Sequence, residues 1–428
     1  CEGATKRGIT AEKAEEVFDL MAKFANYGFN KSHAAAYALV SYQTAWMKAN
    51  HPVPFLAGCM SLAREKTEKL AALCQEAKRM GIPVLPVDIN KSQADFSIER
   101  LEDGQLGIRY ALAAVKRVGF VAMEGLVKDR GTQPFCDMTD FAERCDSRHI
   151  NKLQMESLAK AGAFDNLEPD RHTVFASAEI VLRRAQSRAQ EKEVGQAGLF
   201  GGGVDSSLRE VLRLKKVRPW PDFERLSHEA SVIGFHMSAH PLDAYKHVLR
   251  RLAVTPAVQL EPKAHQGQMR VAIAGCVVEK KERPTKTGKK MAWVTLTDAS
   301  GSCEVTLFSE TLQACRDLLV AGQAVLVQAE LKLDGDALRI TAQHVQDLEA
   351  AAAEEQGELR IWINRAIALA PLQTMLEDVK GGRGRVVLLP ELEETQAIEI
   401  RLPGFYRVTP RLAEQMKTLE GIKELKQA

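Results

Sequence analysis

The chain has 428 residues, of which 45% are hydrophobic and 27% are charged, and its formal net charge is +2 at pH 7. This length predicts roughly two to four domains, and the hydrophobic fraction is typical of a soluble globular protein. The sequence has no apolar run of about 18 residues, so it predicts no membrane span, and its near-neutral charge excludes a uniformly basic nucleic-acid binder.

The cysteines and the amino terminus predict a reduced, cytoplasmic protein. The eight cysteines form no C-x-x-C pair and no signal peptide is visible, so we expect free thiols that serve mainly in packing. The chain begins with Cys1 rather than Met, which leads us to expect an internal or C-terminal fragment. His236 and His240 are four residues apart, but the sequence offers no third ligand nearby, so we predict no metal site.

Two amphipathic helices are predicted first, over residues 11–26 and from about Ser32 to Asn50. Gly28 separates them, and His51-Pro52 ends the second. Each has an apolar face that we expect to be buried, formed by Val17, Leu20, Met21 and Phe24 in the first and by Tyr37, Val40, Thr44 and Met47 in the second.

A possible anion site lies at the junction of these helices. A helix N-terminus presents unpaired N–H groups and a positive dipole end. Four polar residues that suit a phosphate lie there: Asn30, Lys31, Ser32 and His33. The alternative is a plain helix cap by Ser32, with the lysine and histidine in solvent.

Three stretches of this region resemble the fingers of the alpha subunit of bacterial DNA polymerase III, a C-family replicative DNA polymerase. They are Tyr27-Gly-Phe-Asn-Lys-Ser-His-Ala-Ala-Ala-Tyr37, Ser41-Tyr-Gln-Thr-Ala-Trp-Met-Lys48 and His51-Pro52. The resemblance implies that Asn30 to His33 face the incoming deoxynucleoside triphosphate.

The same resemblance implies a magnesium-dependent enzyme whose metal-binding aspartates lie upstream of this chain. The sole Asp-x-Asp here is Asp334-Gly335-Asp336, between two alternating apolar runs, and it predicts a hairpin turn rather than a Mg²⁺ site. Because nucleotidyl transfer needs these metal ions, we expect no polymerase activity from this chain alone.

Residues 108–130 resemble a helix-hairpin-helix motif, which offers backbone N–H groups to duplex DNA phosphate. Its predicted contact residues are Lys116, Arg117, Val118 and Gly119. Arg117 replaces the first glycine of the motif, so it either adds a phosphate contact or loosens the turn. A plain pair of helices is the alternative. A further helix follows over 151–165, where Gly162 is the expected terminator.

A helix is predicted from about Arg171 to Glu193, with an arginine-rich face of Arg183, Arg184 and Arg188 that is either solvated or DNA-facing. The Gly-rich segment after it contains Gln196, Leu199 and Phe200. This pattern resembles the short peptide with which replication proteins bind the sliding clamp, and the alternative is that Leu199 and Phe200 fold back onto the domain.

A connector over 204–262 is followed by alternating strands that predict an OB-fold barrel over 263–348. Its first long loop is predicted to span 280–290, the most basic run in the chain. Single-stranded DNA is its expected ligand, with aromatic rings stacking on bases. The predicted contacts are Lys280, Lys281, Arg283, Lys286, Lys289, Lys290, Trp293 and Phe308. Trp293 could instead cover an open side of the barrel.

After Leu348 the sequence predicts a linker over 350–357 and then a small α/β unit, with strands over 359–364, 385–389 and 397–402 and helices over 369–380 and 410–418. The predicted fold class is therefore multidomain α+β, with a mostly helical N-terminal half, an OB-fold barrel and a C-terminal α/β domain. Expected domain bounds are 1–80, 81–203, 204–262, 263–348 and 349–428.

Taken together, the parts predict the C-terminal portion of a replicative polymerase. The resemblance implies six kinds of partner: primer-template DNA, single-stranded template, deoxynucleoside triphosphates, the sliding clamp, the clamp-loader tau subunit and a proofreading exonuclease subunit. The main alternative is a non-catalytic DNA-binding adaptor tethered to the clamp. A tRNA-binding accessory protein would fit the barrel but not the fingers or the clamp peptide.

Overall fold

The computed structural model describes residues 2–26, 31–193, 211–284, 289–335, 337–391 and 398–427, without the side chains of 24–26, 31 and 191–193. Asn30, the clamp peptide residues Gln196, Leu199 and Phe200, and Lys286 therefore lie outside the described residues.

Five helices form the N-terminal part: α1 (Glu2–Thr5), α2 (Ala11–Asn26), α3 (Lys31–Asn50), α4 (Pro52–Leu62) and α5 (Thr67–Arg79). The predicted spans of α2 and α3 are confirmed. Their predicted burial is wrong, because the apolar side chains of Val17, Leu20, Met21, Tyr37, Val40 and Met47 are exposed. Apolar periodicity forms the helix face, but burial requires an element that packs on it, and α2 and α3 make their main contacts with α1 and α4.

A central domain joins a small sheet to five helices around one core. Strands β1 (Val84–Leu85), β2 (Ser97–Arg100) and β3 (Leu106–Arg109) pair in the order β1-β3-β2. The helices are α6 (Phe120–Arg130), α7 (Met138–Arg144), α8 (Lys152–Ala161), α9 (Arg171–Ala176) and α10 (Ala178–Glu193). Fully buried side chains of α4, β3, α6, α7 and α8 fill this core, including Leu56, Ile108, Met123, Phe141 and Leu158.

Two helix boundaries in this domain show how local sequence sets the chain direction. Asn151 and Gln154 form a capping box at the start of α8, and Gly162 ends that helix in a left-handed conformation, as predicted. The single helix predicted from Arg171 to Glu193 is instead two helices, because Ser177 interrupts it between α9 and α10.

The connector consists of short helices: α11 (Asp222–Ile233), a 3₁₀ turn over Pro241–Tyr245, α12 (Lys246–Arg251), a second 3₁₀ turn over Ala257–Gln259 and α13 (Leu260–Ala264). Leu242, Tyr245 and Val248 of this segment pack on the outer side of the first barrel strand, against Ala274 and Cys276. The connector is therefore attached to the barrel by an apolar contact as well as by the chain.

The predicted OB-fold barrel is confirmed. Its elements are β4 (Met269–Pro284), β5 (Lys290–Thr297), β6 (Ser302–Leu307), α14 (Ser309–Cys315), β7 (Ala324–Asp334) and β8 (Ala337–Asp347), and the strands close in the order β4-β5-β6-β8-β7. The predicted turn after Asp334 is also confirmed, with Gly335 at φ +64 joining β7 to β8. The predicted basic loop is largely strand instead, since β4 runs to Pro284 and pairs with β5 as far as Lys290.

The C-terminal domain begins with a correction, because the predicted linker forms α15 (Leu348–Glu354), which buries Leu348, Ala351 and Ala352. A four-stranded sheet follows, in the order β11-β10-β9-β12. Its elements are β9 (Glu358–Ile363), α16 (Leu369–Glu377), β10 (Lys380–Pro390), β11 (Ile400–Arg401), α17 (Pro410–Lys417) and β12 (Ile422–Gln427). Strand β12 was not predicted, since four of its six residues are charged or polar and no apolar alternation marks it.

Candidate nucleic-acid interface

A tight turn connects β3 and α6, and residues 115–122 are called the hairpin turn below. Its N–H···O bond runs from Val118 to Val115 at 3.2 Å. Arg117 has φ +68, a left-handed conformation that glycine adopts most easily. Arg117 therefore keeps the backbone of the motif's glycine, which resolves the alternative of a looser turn. The helical element before the turn is a single 3₁₀ turn over Leu112–Ala114.

The amino terminus of α6 presents an open row of donors. Gly119 is its N-cap and supplies no side-chain cap. The backbone N–H groups of residues 119–122 make no hydrogen bond within the part of the chain that the structure describes. Lys116 and Arg117 are exposed beside them. Unpaired amides, the helix dipole and two cations together form a surface that favours a phosphate group.

The hairpin turn is fixed from behind by the connector. The Lys116 N–H donates to the Val232 carbonyl at 2.8 Å, so the last turn of α11 supports it. Next to it, the Arg64 guanidinium lies 4.4 Å from the centre of the Phe120 ring. These contacts hold the backbone in place while its donors point outward.

A buried ion-pair network holds α11 in turn, and sequence reasoning missed it. The Arg171 guanidinium donates to Asp165 at 2.7 Å and to Glu229 at 3.0 Å, and the Glu229 side chain is only 2% exposed. Glu229 also accepts the N–H groups of Met237 and Ser238, at 2.9 and 2.8 Å. Burial alone would raise the pKa of Glu229, but the hydrogen bonds from Ser238 and Arg171 outweigh it and lower that pKa.

Gly162 is the one sequence signal that relates to this network. A Cβ atom on Gly162 would lie 2.3 Å from a guanidinium nitrogen of Arg171, so the glycine both ends α8 and makes room for the arginine. Of the arginines on α10, Arg184 and Arg188 pair with Glu143 at 3.1 and 3.3 Å, and Arg183 is exposed beside Glu179.

The predicted nucleotide residues lie at the start of α3 as far as they are described. This helix begins at Lys31, which places Ser32 and His33 in its first turn. The His33 ring packs on the Tyr37 ring with centroids 4.3 Å apart. Ser32 and His33 are exposed at the start of this 20-residue helix, which is the positive end of the helix dipole.

The barrel separates the predicted basic residues onto two sides, because neighbouring residues of a strand point to opposite faces. Lys281 and Arg283 lie on the outer face with Trp293, and this set together with Phe308 is called the barrel face below. Lys281 is directly opposite Trp293, and the Arg283 guanidinium is 5.9 Å from the centre of the Trp293 ring. Trp293 is half-buried and Phe308 is exposed.

Lys280 does not share that face. It lies 3.5 Å from Glu282, which binds Arg316 at 2.8 Å on the other side of the strand. Lys281 is itself paired with Glu279 at 2.9 Å, and this hydrogen bond raises the pKa of Lys281. Lys290 is the first residue of β5 and Lys289 precedes it, and both are exposed.

The described residues do not fit the Mg²⁺ ions of a polymerase. Asp334 is exposed at its hairpin and pairs with Arg339 at 2.8 Å, and Asp336 is outside the described residues. Within the described ranges, the one group of three or more potential metal ligands is His236, His240 and Cys276, which includes no carboxylate. In that same part of the chain, no helix combines the length and apolarity needed to cross a bilayer.

Two family descriptions match separate parts of the chain. "Helix-hairpin-helix motif" matches residues 81–174, and "OB-fold nucleic acid binding domain" matches residues 271–348. Among solved structures, the mitochondrial single-stranded DNA-binding protein Rim1 from S. cerevisiae covers 19% of this chain at 16% identity, with a TM-score of 0.17.

Curated relatives match nearly the whole chain. DNA polymerase III subunit alpha of Caulobacter vibrioides is 38% identical over 423 residues, covering 98% of this chain and 36% of the relative. The Neisseria meningitidis serogroup B and Escherichia coli K12 proteins of the same name are 36% and 34% identical, each over 99% of this chain and 37% of the relative. The resemblance is therefore confirmed: this chain is homologous to DNA polymerase III subunit alpha and spans slightly more than a third of its length.

Proposed function

We propose that this chain is the DNA-binding and clamp-binding part of a replicative DNA-directed DNA polymerase. The observation that supports this most is the open row of amides at the hairpin turn, in a chain homologous to DNA polymerase III alpha subunits. Duplex DNA binds at this turn through its phosphates, which accept from backbone N–H groups without reading sequence.

The barrel face binds the single-stranded template. Trp293 offers a ring for base stacking, and Arg283 and Lys281 lie within reach of the adjacent phosphates. This division of labour suits a polymerase, which must hold a duplex behind its active site and a single strand ahead of it.

In the full-length protein, residues 30–33 contact the triphosphate of the incoming deoxynucleotide, supported by the start of α3. Mg²⁺ ions held outside this chain would stabilise the transferring phosphate, so the chain alone should not polymerise DNA. Gln196, Leu199 and Phe200 bind the sliding clamp. The clamp-loader tau subunit and a proofreading exonuclease subunit are the remaining partners.

The duplex site is tested at Arg117. The Arg117→Gly variant retains the left-handed backbone but loses the guanidinium, so duplex affinity should fall modestly, with a salt slope smaller by about 0.9. The Arg117→Val variant must take a left-handed conformation that costs roughly 1–3 kcal/mol, which distorts the turn. It should lose more duplex affinity than Arg117→Gly. Fluorescence anisotropy over a salt series measures both.

Arg183→Gln is the matched control, because it removes an exposed arginine of α10 far along the chain from the turn. Duplex affinity and salt slope should stay as in the wild type. If Arg117→Val binds duplex DNA as tightly as the wild type, the turn is not the duplex site.

The clamp contact is tested separately with Leu199→Ala and Phe200→Ala together. Binding to a sliding clamp should be lost, because two apolar anchors of a short docking peptide are removed, while DNA affinity stays unchanged. A pull-down with unchanged clamp binding would refute the peptide assignment and leave the DNA surfaces unaffected.

A further inference from the structure

We propose that His236, His240 and Cys276 bind a zinc ion at the joint between the connector and the barrel. The sequence alone shows two histidines four residues apart and no third ligand. The fold supplies it, since Cys276 on β4 lies against the connector segment that contains the histidines. One ligand atom from each residue lies within 4.8 Å of the others.

These distances are close to those of a zinc site. At zinc–nitrogen and zinc–sulfur bonds of about 2.0–2.3 Å, tetrahedral ligand atoms lie roughly 3.3–3.8 Å apart. The three groups therefore need to approach by at most about 1.5 Å. Two imidazoles and one thiolate are ligands that zinc prefers, and a water molecule can complete the tetrahedron.

His236 provides the second observation. Its Nδ1 atom is buried and has no hydrogen-bond partner among the described residues. A neutral imidazole with its proton on Nε2 has a lone pair on Nδ1 that a metal ion can accept. An unpaired buried acceptor is costly, and a metal ion would satisfy it.

His240 is held in position by local hydrogen bonds, and one of them would break when zinc binds. Its backbone N–H donates to Asp243 at 2.9 Å, and its Nδ1 accepts from the Leu242 N–H at 3.2 Å. The other ring nitrogen, Nε2, is 3.4 Å from the Thr297 hydroxyl. Zinc at Nε2 would move the ring proton to Nδ1 and break the bond from Leu242, and two further metal–ligand bonds offset that loss.

Cys276 is fixed by the closure of the barrel. It is buried, and β4 pairs with both β5 and β7 at this residue. The neighbouring Gly275 permits that approach, since a Cβ atom there would lie 2.7 Å from Leu296 Cβ. A zinc ion would then cross-link the connector to the barrel and fix the orientation of the barrel face relative to the hairpin turn.

The test is metal binding by the purified 428-residue chain. After chelation and dialysis, the chain is loaded with zinc and dialysed again, and the bound metal is measured by mass spectrometry. We expect about one zinc ion per chain and a raised thermal unfolding midpoint. Cobalt in place of zinc should give a thiolate-to-metal charge-transfer band. Cys276→Ser should abolish that band, and His236→Phe should weaken zinc binding by more than about tenfold.

Cys303→Ser is the matched control, because it removes another barrel thiol, on β6, that lies outside the cluster. It should retain the zinc and the cobalt band. The proposal is overturned if the wild type retains no zinc, or if His236→Phe and Cys276→Ser retain as much as Cys303→Ser. If Cys276→Ser fails to fold, the His236→Phe measurement decides.

Discussion

The hairpin turn and the barrel face, both proposed to contact DNA, present their positive charge in different ways. At the hairpin turn, backbone amides and a helix dipole add to the charges of Lys116 and Arg117, and the fold behind the turn fixes the direction of the amides. On the barrel, side chains supply the charge, and the strand alternation and nearby carboxylates reduce what faces solvent. Lys280 points away and Lys281 pairs with Glu279. A basic run in a sequence therefore overstates the positive charge that is available to a ligand. Backbone amide donors are hard to recognise in a sequence, because they carry no formal charge.

The two regions also differ in what supports them. The hairpin turn depends on a chain of contacts from the buried Glu229–Arg171 pair through α11 to the Val232 carbonyl. The barrel face depends on a closed sheet with its own apolar core. Damage to the connector should therefore affect duplex binding and leave single-strand binding intact.

The largest expected effect comes from Glu229→Ala, which would separate the two regions. Removing one partner of a buried ion pair typically costs about 3–5 kcal/mol, because the remaining charge is left without compensation. The urea midpoint of the central domain should fall, and the affinity for duplex DNA should fall with it. The affinity for single-stranded DNA should stay unchanged. Tryptophan fluorescence in urea and anisotropy with the two DNA forms measure these effects.

Glu224→Ala is the control for that variant, since Glu224 is on the same helix but is exposed beside His228. Its stability should change by less than about 1 kcal/mol. Equal loss of duplex and single-strand binding in Glu229→Ala would show that the two surfaces are not independent.

An intermediate effect is expected from Trp293→Ala, which removes an aromatic ring from the barrel face and leaves the hairpin turn intact. Stacking of a base on an aromatic ring contributes about 1–3 kcal/mol, so single-strand affinity should fall roughly 5- to 150-fold, with duplex affinity unchanged. Trp362→Ala is a matched control, because this ring also lies beside a cation, Lys426 at 5.0 Å, on the C-terminal sheet. Normal single-strand affinity in Trp293→Ala would remove the ring from the proposed site.

The smallest effect distinguishes the two faces of β4. Arg283→Gln should lower the salt slope of single-strand binding by about 0.7, the value for one phosphate contact. Lys281→Gln should lower it by less, because Glu279 already neutralises much of that charge. Lys280→Gln should leave the slope unchanged. If Lys280→Gln had the largest effect of the three, the strand alternation would be a poor guide to the binding face.

The local elements and their order follow from short-range patterns in the amino-acid sequence. Helical periodicity placed α2 and α3, glycine placed the end of α8, and alternation with an Asp-Gly turn placed the paired strands of the barrel. The motif order also indicated the polymerase resemblance. These features depend on side-chain spacing and backbone preference over a few residues, and both act independently of contacts with other parts of the chain.

Which apolar faces are covered and which charges face solvent depends on the tertiary structure. It left the apolar faces of α2 and α3 exposed, turned the predicted linker into the packed helix α15, and separated Lys280 from Lys281. It also paired Glu229 with Arg171 and brought Cys276 to His236 and His240. Each of these outcomes depends on which element packs or pairs against the residue, and that element is often distant in the chain. Short-range patterns in the sequence carry no information about such partners.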